Sequence, residues 1–145
     1  MTQYWLFKTE PDTYSFETLK KEKKTAWNGV RNFQARNFLR QCKKDDYALI
    51  YHSGKERSVV GVVRIIKEAY AEVDPKKPGE WVQLDVAYSF ALTEPVGLEI
   101  IKKTPALKTL PLIKQSRLSC MPVGEKEFRL IVETGGAWDS FQKSR

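Results

Sequence analysis

The segment Trp81–Leu92 restricts the fold more than any other stretch of the chain. Val82, Leu84, Val86, Tyr88, Phe90 and Leu92 recur at every second position, with Gln83, Asp85 and Ser89 between them. A period of two places the apolar set on one face of an extended chain. This is a long, half-buried antiparallel strand. Val59-Val-Gly-Val-Val-Arg-Ile-Ile66 is the most β-branched run in the sequence and reads as a central strand. Gly61 inside it marks a bulge or a close approach to the backbone.

The remaining elements follow from shorter signals. Tyr4–Lys8 is an aromatic run that reads as a buried first strand, broken by Thr9-Glu10-Pro11-Asp12. Ser15 is placed to cap a helix over Phe16–Lys23, with Phe16 and Leu19 as its apolar pair. Asn32 is placed to cap a second helix, in which Ala35, Phe38, Leu39 and Cys42 share one face. Tyr47–His52 is a strand, Asp74–Gly79 a loop, Leu98–Lys103 a short helix and Leu110–Ile113 a single turn. Leu118–Pro122 is a short strand, with Pro122 at its end or at a sheet edge. Phe128, Ile131 and Val132 make a helix stripe over Glu125–Glu133. No repeat or linker divides the chain. The expected organisation is one domain over residues 1–134 and a C-terminal tail over 135–145, on which Trp138 and Phe141 are able to dock. The fold class is α+β: a curved, mostly antiparallel sheet or small β-barrel flanked by short helices.

Composition removes several function classes. The formal net charge of the 145 residues is +7, which suits a polyanionic partner. One histidine, His52, and two scattered cysteines, Cys42 and Cys120, offer no zinc-ligand spacing. No phosphate loop, dinucleotide fingerprint or nucleophile elbow occurs, so neither a metal nor a cofactor is expected. No apolar run approaches the roughly 18 residues that cross a bilayer, and no apolar leader is visible. A soluble monomer with reduced cysteines is expected, cytoplasmic or, in a eukaryote, nuclear.

The candidate site centres on Thr25-Ala-Trp-Asn-Gly-Val-Arg-Asn-Phe-Gln-Ala-Arg-Asn37. Asn28-Gly29 readily takes positive φ, and the turn it makes leaves Trp27 on a loop. Arg31 precedes a helix start whose free amides favour an anion, and Arg36 and Arg40 lie one turn apart beyond it. An indole beside a positive, donor-rich helix start is suited to a nucleobase and its phosphate. A tryptophan before a turn more often packs into a core; the surrounding cations and carboxamides argue for a ligand. Lys8, the Tyr51-His52-Ser53 strand end and the Ser116-Arg117-Leu118-Ser119 junction add polar groups where a small barrel would have its mouth. The run Lys20–Lys24 reads as the solvated end of a helix. A binder of a free nucleoside or organic anion stays open. So does an enzyme on nucleic acid with His52 or Glu10 as base, or a Cys–His pair drawn from Cys42 or Cys120.

Five stretches resemble the EVE domain, a member of the PUA-like superfamily: Tyr4–Asp12, Ser15–Leu19, Trp27–Asn37, Asp46–Ser53 and Arg117–Val123. They span nearly the whole chain; the 74–79 loop is short for the family and 137–145 lies outside the pattern. The resemblance implies a PUA-like β-barrel with a pocket for a single extruded, usually modified base, and a nucleic-acid partner, DNA or RNA. By position it implies pocket residues Lys8, Trp27, Gly29, Val30, Arg31, Asn32, Tyr51, His52, Ser53 and Ser119. Phosphate contacts are expected from Arg31, Arg36, Arg40 and Arg117. The implied activity is binding without catalysis.

Overall fold

The computed structural model describes residues 2–72 and 80–144; the loop expected at Asp74–Gly79 lies outside them. The chain runs β1 (Tyr4–Thr9), α1 (Phe16–Glu22), β2 (Lys24–Trp27), α2 (Phe33–Gln41), β3 (Tyr47–His52), β4 (Ser58–Ala71) and β5 (Val82–Gly97). It continues through α3 (Leu98–Lys103), a 3₁₀ turn (Pro105–Leu107), α4 (Pro111–Lys114), β6 (Cys120–Val123), α5 (Glu125–Thr134) and α6 (Trp138–Ser144). The class is α+β, as expected.

Local chemistry explains the helix starts. Ser15 Oγ accepts the Thr18 amide at 3.1 Å, and Asn32 Oδ1 accepts the Ala35 amide at 2.9 Å. Each satisfies a donor that the first helical turn leaves free. Lys23 closes α1 at φ 73°, its amide reaching Leu19 O. The chain then turns directly into β2, an element that four residues of mixed polarity do not announce.

The six strands form one sheet in the order β2-β5-β4-β3-β1-β6, with β1 and β3 parallel and the other neighbours antiparallel. The alternation of β5 appears as expected: Val82, Leu84, Val86, Phe90 and Leu92 are buried, while Gln83 and Asp85 are half-exposed. Its partner β4 loses register four times along the pair. Bulges of this kind bend a strand and increase its twist. Gly61 sits at one of them, and a Cβ there would meet Phe16 Cζ at 2.2 Å. The sheet rolls far enough to bring β1, the strand beside the β6 edge, against the opposite edge β2: Phe7 and Trp27 have ring centroids 5.6 Å apart. No backbone ladder joins β2 to β6. Of the two forms expected, a curved sheet or a small barrel, the structure takes a strongly curved sheet that stays open along a seam.

In the segment read as a C-terminal tail, residues 138–144 are helical and dock on the body through Phe141. They form α6, and Phe141 is fully buried. Its ring lies 5.2 Å from Phe128 and 4.9 Å from Tyr47, completing the aromatic core on the far side of the sheet from β2.

Candidate functional site

A cleft of about 520 Å³ opens at the seam between the sheet ends. One wall is Thr25, Ala26 and Trp27 of β2, continued by the Asn28–Val30 loop. Lys8 and Thr9 of β1 face it, with Ser119 just before β6, and Thr13 and Tyr14 fill the remaining side. Strands distant in sequence meet here because the roll of the sheet brings both of its free edges to one place.

Trp27 forms the hydrophobic back of the cleft. It ends β2, pairs with Leu84 and is 7% exposed. Phe7 packs beside its ring, and Tyr14 meets it edge-on at 6.3 Å. The expectation of a loop tryptophan is thus corrected: pairing with β5 fixes the residue, and most of its surface is used in packing. The rest lines the cleft.

The next residues form a loop with its own fastenings. Gly29 has φ +80°, which a side chain would strain, and a Cβ there would touch nothing within 4 Å. Its amide donates to Glu72 Oε2 at 3.2 Å. The same carboxylate takes the Arg31 fork, Nη1 to Oε2 at 2.9 Å and Nη2 to Oε1 at 3.0 Å. Such paired bonds set direction as well as distance. Val30, 6% exposed, anchors the loop in the core.

Lys8 is the cation of the cleft lining. Its Nζ donates to Ser116 O at 2.9 Å and lies 5.9 Å from the Tyr51 ring centroid. Partial burial holds its pKa below the usual lysine value. Tyr14 donates its hydroxyl proton to Glu22 Oε1 at 2.5 Å. Burial, and then this hydrogen bond, push the phenol's pKa up. Among the described residues the lining holds no carboxylate, histidine or cysteine. One cation, an indole and several hydroxyls make a surface for a flat, polar-edged ligand.

The model of the EVE domain family matches residues 3–134. The chain belongs to the EVE domain family. Thymocyte nuclear protein 1 of Mus musculus is 34% identical over 165 aligned positions, covering 91% of this chain and 73% of that protein. The crystal structure of Atu2648 from Agrobacterium tumefaciens superposes with a TM-score of 0.89 at 34% identity, covering 95% of this chain and 96% of that one. Human THYN1, solved in complex with DNA containing 5-methylcytosine, superposes with a TM-score of 0.86 at 30% identity, covering 92% and 98%. The ASCH protein of Zymomonas mobilis shares the fold alone, with a TM-score of 0.57 at 10% identity. The PUA-like architecture agrees with these neighbours.

In this EVE domain, Lys8, Trp27, Gly29, Val30 and Ser119 line the cleft, while Arg31, Asn32, Tyr51, His52 and Ser53 do not. The reason is strand order. Tyr51 and His52 pair with Lys8 and Thr9, so β3 stands one strand further from the seam than β1. Tyr51 is buried, and burial raises its pKa. His52 Nε2 accepts the Phe16 amide at 3.0 Å, which leaves the ring proton on Nδ1, 2.9 Å from Glu56 Oε1. The ring has no free nitrogen to serve as a base. Ser53 Oγ donates to Glu10 Oε2 at 3.4 Å. Cys42 and Cys120 are buried free thiols, and burial pushes Cys120 well above the usual cysteine range. That state is a poor nucleophile.

The cations divide similarly. Arg31 is engaged by Glu72, and Asn32 by its own helix. Arg36 donates to Glu80 O at 3.1 Å and spans the Phe33 and Trp81 rings. Arg40 and Arg117 are exposed, and Arg117 lies between Ser116, which binds Lys8, and Ser119 of the lining. Lys20, Lys21, Lys23 and Lys24 are exposed and lead into Thr25 of the cleft wall. Sequence reasoning missed Tyr14, Thr13 and Thr9 as lining residues. It also missed Glu72, whose contact with Arg31 spans 41 positions and leaves no local trace.

Proposed function

We propose that this EVE domain is a non-catalytic reader that holds a modified nucleobase of DNA in the cleft beside Trp27, acting as a monomer. The observation that carries the reading is the cleft itself. It is an indole-backed opening of about 520 Å³ with one buried-edge cation, within the 300–1,000 Å³ typical of ligand pockets. It sits in a domain whose human relative was solved with 5-methylcytosine DNA.

The energetics assign roles. Extruding a base from a duplex costs a few kcal/mol, and stacking on an aromatic contributes about 1–3 kcal/mol per base. Trp27 alone about offsets extrusion. Edge hydrogen bonds from Thr25, Asn28, Ser119 and the Lys8 ammonium supply the remainder. The Gly29 amide is engaged by Glu72 and supplies none. Arg117 and the lysines of Lys20–Lys24 flank the cleft and take the backbone phosphates, which positions the strand without reading its sequence.

The test is anisotropy titration of two duplexes that differ only in one 5-methylcytosine, against wild type and Ser119→Leu. The leucine fills the cleft and leaves the Ser119 carbonyl, which accepts the Lys8 amide at 2.9 Å. Wild type should prefer the modified duplex, and the variant should lose that preference while keeping its unmodified binding. Equal affinity of wild type for both duplexes at matched salt rejects the reading.

A further inference from the structure

One feature beside the cleft has no part in it. Phe33 opens α2 and is 57% exposed; Phe33 and Ile100 are the large hydrophobic side chains left open among the described residues. A single exposed apolar side chain is ordinary. Phe33 differs in being held rigid. Its ring stacks on Trp81 at 5.0 Å with planes 23° apart, and Trp81 itself is 7% exposed. The Arg36 guanidinium lies 4.9 Å from the Phe33 centroid. Arg36 is held by neutral acceptors, the Glu80 carbonyl and Asn37 Oδ1, and makes no ion pair among the described residues. The result is a fixed apolar tip beside a cation that has no ion pair among the described residues.

Position gives the tip a use. Phe33 lies three residues beyond Val30 of the cleft wall, so at most about 11 Å of chain separates them. Successive bases of one strand are about 3.4 Å apart. Phe33 therefore lies within about three base steps of the cleft wall along any strand that places a base there. An apolar side chain that enters the gap left by an extruded base keeps the stack from closing on the vacancy. We propose that Phe33 is an intercalating wedge that fills the place of the extruded base in duplex DNA, with Arg36 meeting the adjoining phosphate. This rests on the base-holding reading above.

The experiment compares wild type, Phe33→Ala, Phe33→Leu and Ser119→Leu on a 5-methylcytosine duplex and on the same modified strand alone. A wedge matters only where a stack must be held open. Phe33→Ala should weaken duplex binding about tenfold and single-strand binding by less than about twofold, with Phe33→Leu retaining most of the duplex affinity. Both Phe33 variants should unfold within a few degrees of wild type, because the ring is exposed. Equal loss on both probes, or no loss on either, overturns the wedge. If Ser119→Leu still abolishes the methyl preference in that case, the cleft reading survives without it. If wild type shows no methyl preference, both fall together.

Discussion

Substituting Trp27 tests the cleft only if the substitution spares the fold. The indole is 7% exposed and packs beside Phe7 and Tyr14. Trp27→Ala would remove about 3–5 kcal/mol of packing from a domain whose stability lies on the order of 5–15 kcal/mol. Lost binding would then report unfolding as much as lost stacking. Trp27→Phe keeps a ring against Phe7 and shortens the surface offered to the cleft. Its expected destabilisation is about 1–2 kcal/mol, or roughly 3–8 °C in Tm for a chain of this size. If stacking supplies about 1–3 kcal/mol, losing part of the ring should weaken modified-duplex binding by roughly 3–10-fold. No charge changes, so the slope of log K against log salt should stay that of wild type; a lost phosphate contact would reduce it by about 0.9. The assay is anisotropy at several salt concentrations, well below the Tm of the variant, with modified and unmodified duplexes. Parallel lines displaced for the modified duplex alone are expected. A changed slope, or equal displacement for both duplexes, would refute the placement of the base against Trp27.

Two further substitutions probe Lys8 and Gly61. Lys8 is held below its ordinary pKa by burial, so in alkaline solution it loses its proton before a surface lysine does; an anionic ligand favours the charged form. Affinity should therefore fall as pH rises through that depressed value, while folding stability rises with pH between it and about 10.5, where the unfolded chain binds more protons. Lys8→Met should flatten both profiles, measured by titration and thermal unfolding across pH. Gly61→Ala would drive a methyl to 2.2 Å from the Phe16 ring and should lower stability by about 1–3 kcal/mol. Calorimetry on a Gly61→Ala, Phe16→Leu double variant should show a smaller loss than the two single losses summed, because the contacting ring tip has gone.

The parts of the fold legible in the sequence are those with strong periodicity or a cap. The alternation of Val82–Leu92, the β-branched Val59–Ile66, and the caps Ser15 and Asn32 all depend on neighbours a few residues away. The Gly29 turn was legible for the same reason, since positive φ is a local property. Where long-range contacts decide, local signals fail. Lys24-Thr-Ala-Trp becomes a strand because Ala87–Leu84 lies alongside it. The Phe141 segment becomes a core helix because Phe128 and Tyr47 leave it a socket.

The same distinction explains the site. A closed barrel would gather strand ends at a mouth, and Tyr51, His52 and Ser53 would then face Trp27. This sheet instead rolls without closing, and its opening runs along the two free edges. Its lining comes from β2 and the loop after it, from the end of β1 beyond its β6 pairing, and from the residue before β6, which includes Lys8, Trp27 and Ser119 and leaves β3 behind. Had β2 paired with β6, backbone hydrogen bonds would occupy the space where the cleft now lies. The absent ladder is thus what leaves the cleft open, and the ring pair Phe7–Trp27 holds β1 against β2 without sealing the space.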